Sequence, residues 1–155
     1  MRAVRARGGM VRYSSEGTVP IPRDRLWRLL DLHAQDAEIS RIHPDVVSQQ
    51  TLRQSPGEYV VKRGVKVLRR TVSASWRVTY RAPDQFRWEV LDGNGPWSAG
   101  SYLALTYEEA PGGTCVVAEG ELTVVGLPGF LQNRIVRSAL GRIDDEDLGY
   151  SAKMP

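Results

Sequence analysis

Thr71 to Arg81 reads TVSASWRVTYR, and its alternation decides the fold. Val72, Ala74, Trp76, Val78 and Tyr80 fall on one side of an extended chain. Thr71, Ser73, Ser75, Arg77, Thr79 and Arg81 fall on the other. Successive side chains of a strand point to opposite faces, so this segment predicts a strand with one apolar and one wet face, as antiparallel sheets have. Working outward, APDQ turns the chain into Phe86, Trp88 and Val90, which alternate with Arg87 and Glu89. DGNGP turns it again into a strand from Trp97 to Glu108, and EEAPGGT into one from Cys115 to Val125. Upstream, Val47–Leu52 and Glu58–Val65 read as strands on either side of QSPGE. Turn signals at this regular spacing predict consecutive hairpins.

The flanks have a different period. VRYSSEGTVPI reads as a first strand leaving through Pro20 and Pro22 into RDRLWRLLDL, a helix with Leu26, Trp27, Leu29 and Leu30 inward. A second short helix runs from Ala34 to Ile42 and stops at His43, because Pro44 disfavours helical geometry in the residue before it. After GLPGF, Leu131, Ile135, Ala139 and Ile143, with Val136 and Leu140, form a stripe at helical spacing. A helix over 129–150 would be roughly 30 Å long, enough to cross a sheet. The order is strand, two short helices, six strands and one long helix, an α+β layer arrangement. Residues 1–9 carry charge and Gly without an apolar face and read as a disordered extension, with Met10 an alternative start. Residues 10–155 read as a single domain.

With 155 residues, 41% hydrophobic and 25% charged, the composition is that of an ordinary globular chain. No apolar run reaches the roughly 18 residues of a membrane span. The Arg-rich start lacks the apolar stretch of a secretory signal, and one cysteine, Cys115, forms no internal disulfide. A cytoplasmic location is therefore expected. All but three of the 21 basic residues are Arg, and the span from Lys62 to Arg81 holds no acidic residue. Its core, VKRGVKVLRR, reads as a basic hairpin turning at Gly64, suited to an anionic lipid headgroup, a ligand phosphate or RNA, or simply solvated. The absence of an RNA-reading motif disfavours a nucleic-acid or ribosomal partner.

Most catalytic motifs fail on spacing. GPWSAG has one residue too many before Ser98 for a nucleophile elbow, and it joins two strands rather than a strand and a helix. GNGPWS has no following helix to cradle phosphate. His33 and His43 stand apart across a helix, and the DDED run at 144–147 lacks the oxygens of a calcium loop and reads as a solvated helix face. No metal and no cofactor is expected. Glu119 and Glu121 lie on the face opposite Val116, Ala118, Leu122 and Val124, hence outward.

VPIPRDRLWRLLDL, the HPDVVSQQ corner and the long helix after GLPG, taken in this order, resemble the START-like, helix-grip (SRPBCC) superfamily. That superfamily includes polyketide cyclase/dehydrase and lipid-transport proteins. The resemblance covers 11–150 and implies a curved seven-stranded sheet gripping the C-terminal helix, with an apolar cavity between them. It does not fix a reaction. On this reading Trp76, Val78, Tyr80, Trp88, Trp97, Ser101, Leu103 and Tyr107 would line the cavity from the sheet, and Ile135 and Ala139 from the helix. So many rings with polar tips suit a small-molecule pocket. The leading expectation is binding or transport of a hydrophobic small molecule of lipid, isoprenoid or polycyclic type. The alternatives are a cyclase or dehydrase using Tyr80, Tyr107 or His43 as acid–base groups, and an interaction module acting through the 62–70 hairpin. Oligomeric state is open.

Overall fold

The computed structural model describes residues 2–7, 10–33, 35–67, 69–92, 97–124, 126–151 and 153. Its elements are β1 (Arg2–Arg7), β2 (Met10–Val19), α1 (Arg23–His33), α2 (Ile39–Ile42), β3 (Val46–Ser55), β4 (Glu58–Val67), β5 (Arg70–Arg81), β6 (Gln85–Val90), β7 (Tyr102–Ala110), β8 (Gly113–Leu122) and α3 (Gly129–Ser151). One antiparallel sheet holds every strand in the order β1-β2-β8-β7-β6-β5-β4-β3. The seven strands β2–β8 are the expected helix-grip sheet, and α3 packs against β1, β2, α1 and α2.

The additional strand corrects the expectation of a disordered start. Arg2–Arg7 pairs along its whole length with Met10–Ser15. Backbone hydrogen bonds need no apolar side chains, so composition alone does not reveal an edge strand of this kind.

β5 alternates as its sequence dictates: Ala74, Trp76 and Val78 are buried, and Arg70, Thr71 and Arg81 are exposed. Across the ladder, Trp76 stands between Val61 on β4 and Val90 on β6, and Val78 opposite Trp88. β3 breaks the rule. Its register against β4 shifts between Val46 and Ser48 and again between Thr51 and Arg53, so the extra residues Val47 and Leu52 are 51% and 52% exposed. Each bulge inserts one residue and flips the side-chain parity beyond it. A twisted, bulged edge also discourages pairing with another chain.

Gly64 is not a turn. It lies inside β4, opposite Ser48 and Ser73, and a Cβ there would come within 2.5 Å of the Ser48 hydroxyl. Any larger residue there would make Ser48 turn its hydroxyl away at the first bulge. Trp97 is likewise outside β7, which starts at Tyr102, and forms an isolated bridge to Val124.

On α3, Val136 and Leu140 are 0% and 3% exposed and Ala139 is half-buried, whereas Leu131 and Ile135 are each 37% exposed. The buried row therefore runs Gln132–Val136–Leu140, one position round from the Leu131–Ile135 row. Gln132 fixes the entry to the helix: its carbonyl accepts the Val124 N–H at 3.2 Å and its amide donates to Leu127 O at 3.0 Å. The side chains of Leu30, His33, Ile143, Asp144 and Asp147, and residues 34, 93–96 and 125, lie outside the described set.

Candidate functional site

The inner face of the sheet is a wall of rings. Trp76 and Trp88 meet edge to face at 4.9 Å and 71°. Toward the other end, Tyr59 and Tyr80 stand 6.2 Å apart, and Trp27 of α1 leans on Tyr80 at 6.2 Å and on Tyr107 at 6.3 Å. Such offset contacts satisfy the ring quadrupoles while each side chain buries a large apolar area. Of the residues expected to line this face, Trp76, Val78, Trp97, Ser101, Leu103 and Tyr107 are buried. Tyr80, Trp88 and Ala139 are half-buried and pack on the same core. Ile135 stands apart from them on the open side of α3.

Ser101 is occupied by the fold. Its hydroxyl accepts the Thr123 N–H at 3.0 Å, joining the residue before β7 to the one after β8. The sequence reading leaves Trp27 and Tyr59 out of this wall. Tyr59 was legible, because Tyr59, Val61, Arg63 and Val65 alternate on one face of β4. Trp27 was not, because helical spacing does not say which strand a helix covers.

A polar edge borders the wall. Arg63, on the same side as Ala74, is half-buried and donates from Nε to Gln49 Oε1 at 2.5 Å. Asp36, just before α2, accepts from the Gln49 amide at 3.1 Å, from the Thr51 N–H at 3.1 Å and from the Thr51 hydroxyl at 2.9 Å. Burial pushes the Asp36 carboxyl up. The hydrogen bonds from Gln49 and Thr51, with the charge of Arg63 behind them, outweigh it and hold the group below its ordinary value.

His43 works against the C-terminal helix. Its Nδ1 lies 2.6 Å from Glu146 Oε2. A carboxylate only accepts, so the proton of this bond sits on Nδ1. Arg142 spans the same seam, 2.8 Å from Asp45 and 3.9 Å from Glu146. Glu146 thus turns back into the protein, correcting the reading of the 144–147 run as wholly solvated. Asp145 is exposed. The Glu146 side chain is 23% exposed and that of His43 11%, so removing the carboxylate takes the Nδ1 acceptor from a place that water reaches poorly. Glu146→Ala should therefore lower the unfolding free energy by about 1–3 kcal/mol in urea titrations. Asp84→Ala, which breaks the exposed Arg81–Asp84 pair, should change it by roughly 0.5 kcal/mol or less. Equal losses would show that the clasp carries no more than a surface pair.

The outer face is chemically different. An open depression of about 500 Å³ there is edged by Arg12, Ser14, Tyr102, Glu119 and Glu121, with Arg12 paired to Glu121 at 3.3 Å and the Arg87 guanidinium 3.8 Å over the Tyr102 ring. Its lining sets one cation, Arg12, against two carboxylates, Glu119 and Glu121, beside the rings of Tyr13 and Tyr102. Lys62, Lys66, Arg69 and Arg70 are exposed around the β4–β5 turn. Among the described residues no group of three or more His, Cys, Asp or Glu could hold a metal, and no helix is long and apolar enough to cross a membrane.

An antiparallel sheet in which β2 leads through two helices into six successive strands, β3–β8, with a long helix last, defines a START-like, helix-grip protein. The sequence profile of the family described as polyketide cyclase / dehydrase and lipid transport matches residues 10–150, and the chain belongs to that family. A comparison with characterised protein sequences finds no significant match. Among solved structures, the chain is similar to Ara h 8.0201 (TM-score 0.75, 16% identity, covering 94% of this chain and 100% of that one). It is also similar to the Zhui aromatase/cyclase from Streptomyces sp. R1128 (TM-score 0.72, 14% identity, 93% and 94% covered). A START superfamily protein from Mycobacterium smegmatis matches with TM-score 0.73 at 13% identity, covering 96% and 100%. At these identities the likeness concerns the fold.

Proposed function

We propose that the protein binds a hydrophobic small molecule between the inner face of the sheet and α3. The observation that carries this reading is the ring wall: Trp27, Tyr59, Trp76, Tyr80, Trp88 and Tyr107 come from one helix and four strands to a single face. Filling a core does not require Tyr80 and Trp88 to remain half-open, whereas a guest needs apolar walls it can reach. Binding would come from apolar burial, on the order of 25 cal/mol for each Å² removed from water. The lipid-transport part of the family description is in keeping with this. A cyclase or dehydrase acting at the same face would draw on Tyr80, Tyr107 or His43, but both tyrosine rings are held against Trp27 and the His43 ring against Glu146, an arrangement that builds a wall.

The test uses the four tryptophans, all in or bordering this face, as reporters. Titration with fluorene should quench their fluorescence saturably at one molecule per chain. Ala139→Trp, which puts a ring between α3 and the sheet, should weaken that binding at least roughly tenfold while the protein still melts cooperatively; Ala139→Phe serves if the larger ring perturbs folding. Absence of saturable binding, or affinity indifferent to residue 139, would sink the reading.

A further inference from the structure

We infer that the indole N–H of Trp76 is the hydrogen-bond donor that orients the guest, so that the ligand carries an acceptor oxygen, a ketone, ester or ether, on the part that lies deepest. This rests on the hydrophobic-binding reading above and names the chemistry of that guest.

Trp76 is 9% exposed, and its Nε1 is buried with no hydrogen-bond partner in the protein. Its surroundings explain why. The cross-strand neighbours are Val61 and Val90, the neighbours along the same face of β5 are Ala74 and Val78, and the ring it meets is Trp88. None of these side chains carries an acceptor: four are aliphatic, and the indole of Trp88, like the half-buried Arg63 further along the same face, only donates. Buried polar groups are nearly always paired, and an indole can only donate. A single water is a poor partner here, because a buried water needs two to four polar contacts of its own and these neighbouring side chains offer it no acceptor. An acceptor on an otherwise apolar guest meets the requirement: its carbon skeleton packs on the half-buried rings of Trp88 and Tyr80, and its oxygen accepts the hydrogen bond from Nε1. Trp88, half-buried beside Trp76, is the ring that has to shift to admit it.

Fluorenone and fluorene differ by a carbonyl in place of a methylene on the same tricyclic frame, and they isolate this bond. By equilibrium dialysis, Trp76→Phe should weaken fluorenone binding about tenfold, equivalent to about 1.4 kcal/mol. The same variant should leave fluorene within about twofold. In the wild-type protein, whose chain has four tryptophans, one indole N–H resonance should move downfield with fluorenone and stay in place with fluorene. This readout does not depend on how the variant folds. Equal weakening of both compounds, or no ketone-selective shift, overturns the inference and leaves the hydrophobic-binding reading standing. If neither compound binds the wild-type protein, both are overturned.

Discussion

Leu140→Ala should lower the unfolding free energy by about 2–5 kcal/mol, the range for removing a buried leucine that leaves a cavity. Leu140 is 3% exposed and Val136, one turn earlier, is 0% exposed. Together they form the apolar seat of a helix of 23 residues. The described polar ties of α3 are few, Gln132 at its start and Glu146 and Arg142 near its end, so contact of this row with the core supplies most of the attachment. Ile135→Ala removes a side chain of similar size from the adjacent row, but Ile135 is 37% exposed and the loss should stay near or below about 1 kcal/mol. Urea unfolding of the two variants checks this. Similar costs would mean that the helix is rotated about its axis relative to the arrangement described here.

Gly113→Ala should cost about 3 kcal/mol, the upper end of the range for overpacking. A Cβ at this position would lie 1.9 Å from Val19 O, 2.9 Å from Val19 C and 3.0 Å from Pro20 Cα. These are backbone atoms with little freedom. Val19 is paired with Thr114, and the fully buried Thr114 hydroxyl donates to Ile21 O at 2.7 Å, so relief of the clash pulls apart the corner where β2 leads into α1. Thermal unfolding should shift down by roughly 6–12 °C at this chain length. Gly17→Ala, on the same strand pair but with nothing within 4 Å of its Cβ, should melt within a degree or two of wild type. An undisturbed melting temperature for Gly113→Ala would contradict the close approach.

Much of the inward face that forms the candidate site was legible before the fold was known. In TVSASWRVTYR the period of two assigns Trp76, Val78 and Tyr80 to one face without any tertiary information, since neighbouring side chains on a strand must diverge. The same reasoning places Trp88, Leu103 and Tyr107, and it rightly turns Glu119 and Glu121 outward. It fails on β3, where two bulges break the period and expose Val47 and Leu52. It fails again at the chain start, where pairing of Arg2–Arg7 depends on backbone groups that composition does not register. Trp97, taken as the start of a long strand, instead closes the strand end as a single bridge to Val124.

The HPD corner marks the boundary between the two kinds of information. By itself the sequence determined that His43 ends a helix, because the proline after it leaves no room for helical geometry. That rule is local and steric. Only the tertiary structure decided what His43 does with its ring: it meets Glu146, 103 residues away, while Asp45 takes Arg142 from the same helix. It also decided which row of α3 is buried, and that Trp27 joins the wall. In a helix each residue turns the side chain by about 100°, so the pattern defines a stripe but not the angle at which it meets the sheet. That angle is set by the packing of the whole core. The inward face was therefore fixed by chain geometry, while the clasp that locks α3 over it and the unpaired indole at its centre arise from how distant segments come together.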